Sequence, residues 1–385
     1  MGKNKRDKKE IIISICFILI MLIGGFLVGF LSAKSNNSIN LSIAEIIIYV
    51  IIFSFIFILQ TIIHEGGHLI FGLTSGYEFI SFRVGSTTIV KEDGKFKLKK
   101  FNIKGTGGQC LMMPKTNNYK ELKYILYNLG GVLMNSIVSI IAAIILLTTD
   151  TNKYINIMLI ALIIIGIVCV LSNGIPMKIG GIANDGYNIL SISKDDFIKY
   201  CFYTQLKVNG LLYKGMRIKD MPLEWFYVKE GADINNPIVT SLKIMEANYY
   251  HDRLEFDTAK KCYENILANA PKIIKLYENE IMCELLFLEI LDGNLKKIEE
   301  LYTKELRNYI EVTNCYISRK RLMYAYNLIV LKDNKKADKM LEEFERLKKT
   351  YPAKGEIESE TEIIASIYSF KDRRKEQVNS NVNNI

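Results

Sequence analysis

Histidine is scarce in this 385-residue chain, with three in all, and its seven cysteines include no CxxC pair. Scattered cysteines exclude a disulfide framework and fit reduced thiols in a reducing compartment. The net charge of +9 comes with no nucleic-acid-binding motif, so no nucleic-acid partner is expected. Basic residues are themselves sparse in two places: the 34–43 loop has Lys34 alone and the 148–153 loop has only Lys153.

What is abundant is apolar surface. A hydrophobic share of 49% stands beside 24% charged residues, and the mean hydropathy is +0.13. That average conceals two unlike halves: residues 1–195 carry long apolar runs, whereas residues 196–385 are rich in Lys, Glu, Tyr and Asn with helical periodicity. The expected fold class is mainly α: a polytopic membrane helix bundle of about four spans with a small membrane-associated β segment, followed by a soluble α-helical repeat domain. The expected spans are Ile11 to Ser32, Ala44 to Leu73, Tyr124 to Leu147 and Tyr154 to Leu171, since a helix needs about 20 mostly apolar residues to cross a bilayer core. The first follows a basic start, yet its apolar run exceeds that of a secretory signal, so it reads as an anchor.

Orientation follows from the positive flanks. The amino-terminal segment has five Lys/Arg, and "KEDGKFKLKKFNIK" is heavily basic, which places both termini in the cytoplasm of a multi-pass cell-membrane protein. The basic flanks then face acidic lipid. The richness in Ile, Lys and Asn points to an AT-rich bacterial genome.

Within the second span, "TIIHEGGHLIFGL" sets His64 and His68 four apart with Glu65 beside the first. On a helix these histidines lie about 40° apart around the axis and can share one tetrahedral metal. Glu65 is then placed to act as a base on water while zinc makes that water acidic. HExxH also arises by chance on ordinary helices. Ionisable groups inside a span are costly, however, roughly 2.5–3.5 kcal/mol for a central charge, and tend to mark functional sites. Catalytic zinc usually takes three protein ligands. His251 lies far downstream in a polar helical region and reads as a surface or packing residue, so a carboxylate is sought. "SNGIPMKIGGIANDGYNIL", residues 172–190, supplies Asp185 after a Pro and Gly run that breaks the helix; a solvated Asn-Asp-Gly turn is the alternative.

HEGGH in one span and NGIP…NDG after a later one resemble the site-2 protease family of intramembrane zinc metalloproteases over roughly residues 44–190. The resemblance implies one Zn2+ per chain, held by His64, His68 and Asp185, with Glu65 catalytic and Asn173 and Pro176 opening the third motif. "GGQCLMMP", residues 107–114, is similar to the Gly-rich β segment implicated in presenting substrate, which singles out Gly107, Gly108 and Gln109. "GGVLMN", residues 130–135, resembles the Gly-Pro-x-x-Asn motif, with Asn135 as a support or substrate-binding residue. Two departures stand out: Val132 replaces the motif's Pro, and Asp185 comes nine positions after Pro176, more than in many members.

From physics alone, Gly130, Gly131 and Ser136 allow close helix approach, Asn135 needs a partner in lipid, and the basic 91–104 stretch is a surface hairpin or a solvated loop. In the second half, turn signals near Asp252, at Asp292-Gly293 and at Asp333-Asn334 recur at close to forty residues. Ala247, Tyr250, Ala259, Tyr263 and Pro271 resemble the tetratricopeptide pattern; a third copy, with Ala325, Leu328, Ala337 and Leu341, is weaker, and the middle one barely matches.

The expected organisation is a tail and first anchor (1–43), a membrane catalytic core (44–195), a connecting segment (196–236), a tetratricopeptide-like cytoplasmic domain (237–370) and a disordered tail (371–385). The expected activity is zinc-dependent cleavage of a transmembrane or membrane-associated protein near the cytoplasmic face. The expected partners are that substrate, the lipid bilayer and a cytoplasmic protein bound through residues 237–370. The alternative is a noncatalytic receptor or scaffold derived from such a protease.

Overall fold

The computed structural model describes residues 42–101, 107–179 and 182–367. The expected anchor Ile11 to Ser32 and the tail 371–385 lie outside the described residues. Among those described, three helices are long and apolar enough to cross a membrane, where the sequence suggested four spans: Ile43–Thr74 (α1), Tyr124–Thr148 (α2) and Lys153–Gly174 (α3). Ser42 starts α1 with a reciprocal cap to Glu45, and Asn152 caps α3. Their outward faces are Ile, Phe and Leu, with Ile43, Phe57 and Leu147 among the most exposed. Such surfaces suit hydrocarbon rather than water.

The chain divides into two compact units that do not follow its order. One comprises 42–75 and 124–191, holding the three apolar helices, a short hairpin of Lys178–Ile179 (β5) and Ile182–Ala183 (β6), and Asp185–Ile192 (α4). The other comprises 76–123 and 192–367.

In the second unit, Tyr77–Val84 (β1), Thr87–Glu92 (β2), Lys95–Lys100 (β3) and Gly108–Pro114 (β4) form an antiparallel sheet in the order β3-β2-β1-β4. The basic 91–104 stretch is therefore mostly hairpin: Asp93 and Gly94 turn with φ of 51° and 77°, as a two-residue Asp-Gly hairpin turn requires. The sheet packs on the helices that follow. Ile80, Leu111 and Met113 meet Leu211 and Tyr213 of Asp196–Lys214 (α5), and Phe101 stacks edge-on against Tyr316 and Tyr351. The 196–236 stretch is thus more than a connector.

Three helical hairpins succeed α5: Pro237–Asp252 (α6) with Phe256–Asn269 (α7); Lys275–Asp292 (α8) with Leu295–Leu301 (α9) and Lys304–Val312 (α10); and Ile317–Ala325 (α11), extended by a wider turn to Val330, with Asn334–Lys348 (α12). A final helix (α13) covers 354–367. Each hairpin turns through a residue in the left-handed region, Leu254, Gly293 and Lys332, equally spaced along the chain. The middle copy matches poorly in sequence because its second helix is broken. Thr303 stops α9 and caps α10 through the Leu306 amide, so the small and aromatic positions lose register. The core joins Ala247, Ala259, Tyr263, Leu286, Phe287 and Tyr324 across all three hairpins.

Candidate metal centre

The centre lies wholly within the first unit. Gly67 and Gly130 bring α1 and α2 into backbone contact: a Cβ on either would run into the other's carbonyl group, and one on Gly131 would occupy the His64 ring. Glycine is obligatory there because membrane helices pack by close approach rather than by a hydrophobic drive. That approach delivers Asn135 and the Tyr127 carbonyl to the two histidines.

The hydrogen bonds fix the ring protons. Asn135 Nδ2 donates to Gln60 O at 3.0 Å and to Gln60 Oε1 at 2.6 Å, leaving Asn135 Oδ1 to accept from His64 Nδ1 at 2.7 Å. His68 Nδ1 donates to the Tyr127 carbonyl at 2.8 Å. Both imidazoles therefore carry the proton on Nδ1, and both Nε2 atoms present lone pairs. Gln60 Nε2 in turn donates to Leu162 O at 2.8 Å, so a relay of amides runs from α3 through α1 and α2 to the His64 ring. Gln60 and Asn135 are both fully buried. Gln60 was not visible as a site residue from the sequence; a lone Gln among apolar residues was its only signal.

Asp185 opens α4 and completes the set. Its Oδ2 lies 3.3 Å from His64 Nε2 and 3.4 Å from His68 Nε2, and the two Nε2 atoms are 3.2 Å apart. Ligand atoms about 2.0–2.1 Å from a tetrahedral ion are separated by about 3.3–3.4 Å. The three edges of the triangle are close to that figure. No hydrogen-bond donor reaches Asp185 Oδ2 among the described residues, and it faces lone pairs rather than protons. Three electron-pair donors converge here, and the group could hold a metal ion.

The longer interval after Pro176 is absorbed locally. The β5–β6 hairpin pairs Lys178 with Ala183, and the chain returns through Asn184. Asn184 Nδ2 donates to Ser172 O and Ile175 O, both at 2.7 Å, while its Oδ1 accepts from the amides of Met177 (3.1 Å) and Tyr187 (2.9 Å). One buried amide thus ties the end of α3, the hairpin and the start of α4 together, which sets the position of Asp185. Gly186 also packs against the Gly174 carbonyl with no room for a side chain. Asn184 belonged to an apparent turn signal, and its organising role is visible only in three dimensions.

Glu65 is buried in α1, one residue from His64 and three from His68. Asn173, by contrast, turns back on its own helix, donating to Cys169 O at 3.0 Å and Ser172 Oγ at 3.3 Å. Gly107, Gly108 and Gln109 belong to the other unit, where Gly108 and Gln109 start the edge strand β4 and Gly107 O accepts from the Gly85 amide. His251 is buried in that unit among Phe256, Tyr263 and Phe287, a packing residue and not a ligand of this centre. Comparisons with protein-family models, curated proteins and solved structures find no match for this chain.

Proposed function

We propose that this protein is a membrane-embedded zinc endopeptidase that hydrolyses peptide bonds of a transmembrane or membrane-associated protein. The observation that carries the reading is the convergence of His64 Nε2, His68 Nε2 and Asp185 Oδ2 at mutual distances of 3.2–3.4 Å, with Glu65 beside them on an apolar helix.

Zinc, when bound, supplies a Lewis acid that lets water act as a nucleophile near neutral pH. His64 and His68 are held in the ligating tautomer by Asn135 and the Tyr127 carbonyl, so their rings need no reorganisation. Asp185 contributes the negative charge of the set. Glu65 takes the proton released as water attacks the scissile carbonyl and returns it to the departing amine nitrogen. Burial of Glu65 and His68 excludes bulk water from the proton's path. The basic flanks favour a site opening near the cytoplasmic face. The helical hairpins supply a surface for a cytoplasmic partner.

The test is elemental analysis and peptide cleavage by the detergent-purified full chain. The expected result is near one zinc per chain, lowered in His68→Ala and Asp185→Ala, with cleavage lost but metal kept in Glu65→Gln. Persistent cleavage by Glu65→Gln would overturn the mechanism. A metal-free parent purified without chelator would favour the noncatalytic scaffold.

A further inference from the structure

The first helices of the three hairpins, together with α5 and α13, enclose a chamber of about 410 Å³. That volume is typical of small-ligand pockets. Its walls hold five carboxyl groups, Asp252, Glu280, Glu284, Glu356 and Glu360, against a single lining cation, Arg321.

The charges do not balance from within. Arg321 bonds Glu284 and Glu360, each at 2.6 Å, and its guanidinium carbon lies 3.9 Å over the Phe287 ring. Behind the wall, Arg217 pairs with Asp252 and Arg319 with Glu280. Glu356 is left with the Tyr351 hydroxyl, which donates to it at 2.7 Å, and no cation pairs with it among the described residues. Glu356 and Glu360 are four apart on α13 and so share a face. Burial raises the Glu356 carboxyl and, outweighing Arg321, pushes Glu360 up to about 7. Of this pair only Glu360 has a positive partner, the Arg321 guanidinium that it shares with Glu284.

A second observation concerns His251, only 6% exposed and also on the chamber wall. Its Nε2 is buried with no hydrogen-bond partner among the described residues. Orphaned buried nitrogens are uncommon and ask for a partner. A bare metal ion is the wrong partner, because among the described residues only His64, His68 and Asp185 bring three ligand atoms within 4.8 Å of one another. The chamber's acceptors are dispersed, which suits a cation whose several N–H donors are spread over a planar or extended group.

We propose that this chamber binds an organic cation, an ammonium or guanidinium group, which supplies the positive charge that Glu356 lacks and that Glu360 has only by sharing Arg321 with Glu284. The proposal is independent of the metal centre. The shared chemistry has two sources, a free amine and the basic side chain of a peptide.

The experiment is calorimetric titration of the full chain in detergent with agmatine, with acetyl-Gly-Arg-Gly-amide and with the neutral citrulline counterpart of that peptide. Saturable binding of agmatine alone identifies a free amine, and binding of the arginine peptide alone identifies a peptide side chain; either supports the proposal, as does binding of both. The citrulline peptide should not bind. Glu356→Gln with Glu360→Gln should weaken binding at least tenfold, Glu356→Gln alone should weaken it less, and exposed Glu358→Gln should leave it unchanged. The single variant decides the matter if the double variant melts early. Equal binding of the citrulline and arginine peptides, no binding at millimolar ligand, or undiminished binding by both folded Gln variants would overturn it. Zinc content should be unaltered throughout, which separates this result from failure of the proposed peptidase.

Discussion

Both units bury ionisable groups, but they arrange them in opposite ways. In the apolar unit, three donor atoms converge within 3.4 Å and every ring proton is directed outward to an amide or carbonyl. In the helical-hairpin unit, five carboxyls are distributed over the walls of a chamber and are partly answered by arginines. Convergence suits a point charge; dispersion suits an extended one. The contrast shows that a count of buried acids and histidines says little until the direction of each lone pair is known.

The largest expected effect comes from breaking the convergence. His68→Ala removes one vertex of the triangle and should take metal content, read by elemental analysis, from near one per chain to near none. Next, Gly67→Val forces a branched side chain into the Gly130 carbonyl, and the strain of such overpacking is about 1–3 kcal/mol or more. A lowered melting temperature together with reduced metal content is the expected readout. Asn135→Ala leaves all three ligands in place but frees the His64 ring, and loss of such a supporting contact typically costs about 10–100-fold in metal affinity. Competition with a chelator of known affinity measures it; an unchanged affinity would show that the amide relay is mere packing.

The dispersed unit should respond to pH instead. Glu360 keeps its proton to about 7 in the folded chain, against 4.5 for the ordinary group. Its contribution to stability is therefore present in full below 4.5 and is lost as pH rises through 7, a change on the order of 1–3 kcal/mol. Glu360→Gln should flatten that decline in denaturation curves taken between pH 5 and 8. His251 acts in the opposite sense: burial pushes it down to about 4, so its contribution is present above 6.5 and is lost as pH falls through 4. The smallest effect is expected at Gly66→Ala, whose Cβ would meet nothing within 4 Å; unchanged melting and metal content would complete the contrast with its neighbour Gly67.

Much of this was legible in the sequence because the signals are local. The HEGGH spacing, the apolar runs of α1 to α3, the Asp-Gly hairpin and the three hairpin turns each depend on residues within a turn or two of one another. Asp185 could be nominated from its neighbours, but its approach to the histidines depends on Asn184 and the β5–β6 hairpin. Gln60 was invisible because its partners, Leu162 and Asn135, are 102 and 75 positions away. Residues 76–123 read as part of the membrane core by proximity in sequence. Their apolar faces are buried instead against α5 and the hairpin unit, a preference of long-range packing that no window of the sequence contains.

That last arrangement has a consequence for biosynthesis. The sheet leaves the ribosome well before the helices that cover it; Lys99, for instance, donates to the carbonyl of Tyr351, 252 positions later. During that interval Ile80, Leu111 and Met113 have no lasting cover, while α2 and α3 are being synthesised. Contacts of such sequence separation form late, and the transiently bare strands are the part of the nascent chain most prone to wrong pairing. Chains halted after residue 195 should accordingly expose this sheet to proteases, whereas completed chains should protect it.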